Sequence, residues 1–261
     1  MLSTAHTASV DGIPVLWMNP AVDTDRRSLA IWMTGLTGWK ELTEPTLARL
    51  ADLGFLALSI DAFEHGERLR DTREALARRA DSAFRETVWP ILGRTVLDLM
   101  RVADWAISAH DLDAHIVAGG ISLGGDIAVA LAGVDQRVDR VAAIASTPDW
   151  ARPGMRRNTE PYDVVAQGMP GAEGAWLRGQ LDPALHSDRF ATGPAIAFEL
   201  GEDDEHIPPR LALAFARSVA DAGNSSADRV TVTVHPGLDH AKATADPGLL
   251  ARAIAWLARE S

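Results

Sequence analysis

The stretch His115-Ile-Val-Ala-Gly-Gly-Ile-Ser-Leu-Gly-Gly-Asp-Ile-Ala-Val-Ala130 carries the most structural information in the chain. It opens with a short apolar run of strand type, His115–Gly119. It continues into an apolar helical pattern, Leu123–Ala132. Between them lies Gly120-Ile121-Ser122-Leu123-Gly124, a G-x-S-x-G pattern. A serine on a sharp strand-to-helix turn sits in strained backbone, and a bulky neighbour two residues to either side would collide with the turn. Glycines at those two positions remove the Cβ atoms. The hydroxyl is then exposed at a helix start, where backbone N–H groups favour negative charge.

Outward from this turn, strand-like runs alternate with helical patterns. Thr7–Val10 and Ile13–Trp17 form a hairpin pattern around Asp11-Gly12. Further strand patterns are Leu29–Thr34, Phe55–Ile60, Val141–Ala145, Ala195–Leu200 and Val230–His235. Helical spacing covers Glu41–Leu53, Asp71–Arg85, Val88–His110, Arg210–Ala222 and Pro247–Arg259. Near-continuous apolar strands between helices predict an α/β fold with a mostly parallel, eight-stranded sheet covered on both faces. The whole chain, 1–261, reads as a single domain. The Pro- and Gly-rich region 150–193 interrupts the alternation and reads as a small helical cap inserted in that domain. The charged excursion Asp71–Glu86 suits either a pocket roof or a homodimer surface. No internal repeat or low-complexity tract is visible.

Composition narrows the function. The chain has no cysteine, which excludes disulfides, thiolate metal sites and a cysteine nucleophile. Its net charge of −11 disfavours nucleic acid and anionic membranes as partners. The eight histidines are scattered, so no metal site is expected. No apolar stretch has the length of a membrane span, and the N-terminal residues lack a signal-peptide pattern. The expected location is the cytoplasm.

A serine hydroxyl becomes a strong nucleophile only beside a general base that an acid orients. Acidic and histidine candidates follow two later strands. Ala195–Leu200 runs into Gly201-Glu202-Asp203-Asp204-Glu205-His206-Ile207-Pro208. Val230–His235 runs into Pro236-Gly-Leu-Asp-His240. Glu202, Asp203 and Asp204 compete for the acid. His235 reads as a strand residue with a structural role, whereas His240 lies beyond the strand in a loop.

These segments together resemble the α/β-hydrolase superfamily over nearly the whole chain, and within it the compact dienelactone-hydrolase-like and prolyl-oligopeptidase-like serine esterases. The matching residues are Gly120–Gly124, Gly201-x-x-Asp204-x-x-Ile207-Pro208 and Pro236-Gly-x-x-His240. Asp61-Ala-Phe-Glu-His65-Gly66 also resembles a loop of short esterases of this group. The resemblance implies an α/β-hydrolase fold, with Ser122 as nucleophile, Asp204 as orienting acid and His240 as general base. The oxyanion hole is then expected from the backbone N–H groups of Leu123 and Leu36. Leu36 lies in Thr34-Gly35-Leu36-Thr37-Gly38, where many relatives carry His-Gly in place of Thr34-Gly35. His65 is expected to hydrogen-bond backbone in its own loop.

The expected reaction is hydrolysis of a small-molecule carboxylic ester, with thioester and lactone cleavage using the same machinery. The same scaffold also supports C–C bond cleavage, lyase chemistry, perhydrolysis and peptide cleavage, and a non-catalytic binding protein is a further alternative. No organic cofactor is implied, and Gly119-Gly120-x-x-x-Gly124-Gly125 comes too late in the chain for a dinucleotide loop. Candidate substrate contacts are Trp39, beside the oxyanion loop, and Trp150, Met155 and Trp176 in the cap. Cap aromatics equally suit a cap core. Arg152, Arg156 and Arg157 form a basic cluster, either solvated or facing a substrate carboxylate.

Overall fold

A computed structural model describes residues 4–22, 25–160, 162–223 and 229–259. Met1–Ser3 of the N-terminal reading and Pro161 of the cap lie outside the described residues. Eight strands form one sheet in the order β1-β2-β4-β3-β5-β6-β7-β8. They are β1 Ala5–Val10, β2 Ile13–Met18, β3 Leu29–Met33, β4 Leu56–Ile60, β5 Ile116–Ile121, β6 Val138–Ile144, β7 Ala195–Gly201 and β8 Val230–His235. β1 and β2 pair antiparallel, as do β2 and β4, and every other pairing is parallel. The hairpin turn uses Asp11 and Gly12, both at positive φ.

Side-chain alternation along the strands sends residues to two separate cores. Leu29, Ile31 and Met33 of β3 join one core, while Ala30 and Trp32 join the other. The first core is closed by α3 Phe84–Ala109, α4 Leu123–Ala132 and α6 Arg210–Gly223, through residues such as Leu92, Ile127 and Phe215. The second is closed by α1 Glu44–Asp52 and α8 Pro247–Leu257, through Leu47, Leu50 and Ile254. Burial on both faces explains why the central strands lack polar alternation.

Two departures from the sequence expectations have local causes. α2 stops at Ser82 (Arg73–Ser82) and α3 begins at Phe84, before the expected Val88, so Pro90 lies inside α3. The first-turn donors of α3 are satisfied from outside the helix, with Phe84 N donating to Ala166 O and Arg85 N to Gln167 O. His240 is not in a loop. It is the first residue of the short helix α7 (His240–Ala245), whose N-cap Asp239 accepts from Lys242 N.

The region 150–193 divides in two. Its later part forms α5 (Ala172–Leu181), which packs flat on α3. Leu177 lies where a Cβ on Gly93 would fall, and Gly174 lies against Pro90. Its earlier part, around Arg152–Thr159, reaches the C-terminal edge of the sheet beside Ser122.

Candidate active site

Ser122 lies between β5 and α4 with φ 53° and ψ −121°, a left-handed conformation that costs a non-glycine residue about 1–3 kcal/mol. The surroundings leave it no alternative. A Cβ on Gly120 would come within 2.4 Å of Gly124 C, and one on Gly124 within 2.3 Å of Met33 O. Ser122 N donates to Ile144 O at 2.8 Å. Ser146 Oγ lies 2.9 Å from Ser122 O and braces the turn from β6's end. Gly125 makes room for that brace, since a Cβ there would overlap Ser146 Oγ.

The hydroxyl of Ser122 lies 3.1 Å from His240 Nε2, and His240 Nδ1 lies 2.8 Å from Asp204 Oδ2. The other carboxylate oxygen, Oδ1, accepts from Ile207 N at 2.6 Å. Asp204 and His240 are both buried. Their register is set by the loops that carry them. Glu202 N donates to His235 O and Asp203 N to Leu238 O. Gly201 allows this approach, because a Cβ would lie 2.2 Å from Leu238 O. Glu202 and Asp203 are exposed. His235 turns away and bonds Glu199 at 2.6 Å.

The two loops expected around Ser122 are tied together by a buried lysine. Asp61 accepts from Lys40 N at 2.8 Å, from Lys40 Nζ at 3.2 Å and from Glu67 N at 3.0 Å. Lys40 also pairs with Glu41 and Glu67, and these carboxylates hold its ammonium well above the usual lysine range despite burial. Gly66 is obligatory here, since its Cβ would overlap the Asp61 carboxylate. His65 is buried, with Nδ1 donating to Phe63 O at 2.9 Å. Gly35 packs on Ser122, so that a Cβ there would sit 3.5 Å from Ser122 Cβ.

A cavity of about 620 Å³ opens at Ser122, bordered by Leu36, Trp39, Arg73, Asn158, His206 and His240. A smaller chamber of about 30 Å³ lies behind it, bordered by Phe84, Val88, Leu123, Arg152, Met155 and His206. Trp39 and Met155 are thus brought to Ser122, and Arg73 stacks on the Trp39 ring at 4.3 Å. Trp150 and Trp176 are not. Trp150 is fully buried as core, and its carbonyl accepts from Trp89 Nε1 at 2.8 Å. Trp176 is exposed on α5 and borders a separate cleft with Gln180 and Asp188. Trp176 lies on α5, which packs along α3, whereas Trp150 lies in the segment after β6 and joins the core. The excursion after Asp71 belongs to the cavity wall, through Arg73, Ala77 and Asp81.

The arginine cluster is also redistributed. Arg152 is buried and donates to Asp126 of α4, while Arg156 Nη1 donates to Tyr162 O at 3.0 Å. Sequence reasoning missed the Arg152–Asp126 and Lys40–Asp61 pairs, because each joins residues far apart in the chain. Asp126, directly after Gly124-Gly125, was the available signal, since a carboxylate inside an apolar helix start needs a partner. Among the described residues, no group of three or more His, Cys, Asp or Glu side chains could hold a metal ion. No helix among them is long and apolar enough to cross a membrane.

Residues 30–256 match the model of the dienelactone hydrolase family, and the chain belongs to that family. No curated protein sequence matches it. Among solved structures it is similar to TT1662 from Thermus thermophilus, with TM-score 0.70, 22% identity and all of both chains covered. It is similar to Thermogutta terrifontis esterase 2 phosphoramylated by tabun, with TM-score 0.62 and 17% identity over 98% of this chain and 92% of the other. It also resembles a puromycin-hydrolyzing peptidase of Mycobacterium tuberculosis, with TM-score 0.72 and 16% identity over 98% of this chain and 39% of that one. The fold is therefore the α/β-hydrolase fold that the sequence implied.

Proposed function

We propose that this member of the dienelactone hydrolase family cleaves carboxylic esters of small molecules through an acyl-serine intermediate. The continuous chain Ser122 Oγ, His240 Nε2, His240 Nδ1, Asp204 Oδ2, at 3.1 and 2.8 Å, carries this reading. Asp204 fixes the imidazole tautomer with the proton on Nδ1, because a carboxylate only accepts there. Nε2 then has the lone pair that takes the Ser122 proton as Oγ bonds to the acyl carbon. His240 returns that proton to the departing alkoxide. A water, deprotonated by the same nitrogen, attacks the acyl carbon, and Nε2 passes that proton to Ser122 Oγ as the acyl–oxygen bond breaks, releasing the acid and free Ser122.

The negative oxygen that forms in both steps is held by the backbone N–H groups of Leu36 and Leu123. Leu123 is the first residue of α4, where the helix dipole adds to the effect. The Asp61–Lys40 tie keeps the Leu36 loop against the nucleophile. We read 150–193 as a cap whose first residues wall the cavity and whose α5 anchors it to α3. Thioesters and lactones fit the same sequence of steps.

Hydrolysis of p-nitrophenyl esters from acetate to decanoate, beside Ser122→Ala, tests the reading. Turnover by the native protein and a loss of at least about a thousandfold in the variant are expected. Equal slow turnover by both proteins overturns it. A fluorophosphonate probe should label the native protein at Ser122 and leave the variant unlabelled.

A further inference from the structure

His206 stands two residues after the acid Asp204, and its ring lies against the ring of His240, with centroids 4.7 Å apart at 58°. Its Nδ1 is 2.7 Å from the carbonyl oxygen of Arg156. A carbonyl only accepts, so Nδ1 carries the proton and donates. On the neutral ring, Nε2 then holds the lone pair. No partner for Nε2 is present among the described residues. Burial, together with His240 and Arg152 nearby, lowers the pKa of the ring to about 3, so it is neutral at ordinary pH. His206 borders both the outer cavity and the small chamber, as do Ser122 and Leu36.

We propose that His206 is a specificity-determining residue whose Nε2, held as an acceptor by the Arg156 tether at the junction of the two cavities, selects esters with a hydroxyl on the carbon next to the reacting carbonyl. This inference rests on the ester-hydrolase reading above. The chamber holds about 30 Å³, which suits a short acyl group. Its walls are mostly apolar, through Phe84, Val88 and Met155, and its other polar side chains are already engaged, Ser122 with His240, Arg152 with Asp126 and Asp81 with Arg157. A substrate without a donor leaves that acceptor desolvated and unpaired, which is the larger part of the discrimination.

The test compares phenyl hydroxyacetate with phenyl fluoroacetate, which match in size and differ in the donor. Each kcat/KM is divided by the ester's own hydroxide-catalysed rate. The native protein is expected to favour the hydroxy ester about tenfold, the effect of one hydrogen bond of about 1.4 kcal/mol. His206→Phe keeps a ring against His240 but removes the acceptor, and the ratio should fall to about one. His206→Gln returns an acceptor and should recover part of the ratio. A native ratio of about one overturns the proposal, as does a preference that survives in His206→Phe. The corresponding anilides, titrated by tryptophan fluorescence, separate this inference from the reaction. If no ester is cleaved but the hydroxy anilide binds better through His206, only the ester-hydrolase reading fails. Equal binding of the two anilides together with no turnover overturns both.

Discussion

Arg152, in the segment that borders Ser122, donates to the carboxylate of Asp126 on the first turn of α4. Both side chains are buried, at 3% and 0% exposure. Asp126 also accepts from Thr147 N at 2.7 Å, so the pair joins α4 to the segment that follows β6. Removing one member of a buried pair strands the other charge.

Arg152→Met should therefore cost about 3–5 kcal/mol in urea unfolding, because Asp126 is left without its cation. Arg152→Met combined with Asp126→Asn should recover part of the loss. A single variant as stable as the native protein would show that the pair does not hold these segments together.

Asp204→Asn keeps an oxygen for Ile207 N but offers an N–H donor where His240 needs an acceptor. The wrong tautomer should follow, with kcat for ester hydrolysis falling by about 10⁴. The thermal midpoint should move little, so paired kinetics and melting curves check the result. A drop of less than tenfold would move the orienting role elsewhere.

Gly120→Ala and Gly171→Ala make a matched contrast. At Gly120 the new methyl meets Gly124 backbone at 2.4 Å and Met33 O at 2.7 Å, whereas nothing lies within 4 Å at Gly171. The first should lose at least about 1–3 kcal/mol and fold poorly, and the second should be close to neutral. Equal melting temperatures would contradict the packing described at the serine turn.

The His206 ring titrates at about 3 in the folded protein, below the ordinary histidine value of 6.5. Below pH 6.5 the unfolded chain binds a proton that the folded chain refuses. This contribution to stability is complete above 6.5 and is lost as pH falls toward 3. His206→Gln should show a shallower acid loss, with a relative gain of about 1 kcal/mol between pH 7.5 and 5 after solvent screening. Parallel stability curves for the two proteins would remove this group from the acid response.

Local chemistry made much of the molecule legible. The serine turn declares itself because two glycines must face each other across it, and the parallel strands do so because burial on both faces removes polar alternation. The start of α3 was hidden, since Pro90 suggests a first turn. The helix begins earlier because Ala166 and Gln167, far along the chain, accept its opening donors. Trp150 and Trp176 look alike in sequence as cap aromatics. Only tertiary packing separates them, since Trp150 joins the core beside Trp89 while Trp176 is left exposed on α5. The tautomer of His206 depends on a carbonyl 50 residues away and leaves no local trace.

The order of the strands has a consequence for heat inactivation. Ser122 follows β5, inside the sheet, while His240 follows β8, an edge strand with one neighbour and mostly half-exposed residues. Edge elements of this kind open at lower free energy than the centre. Fraying of that one strand carries His240 away and leaves the serine turn standing. Warming should thus silence the protein reversibly while most of its helix content persists, and cooling should restore it without refolding of the core.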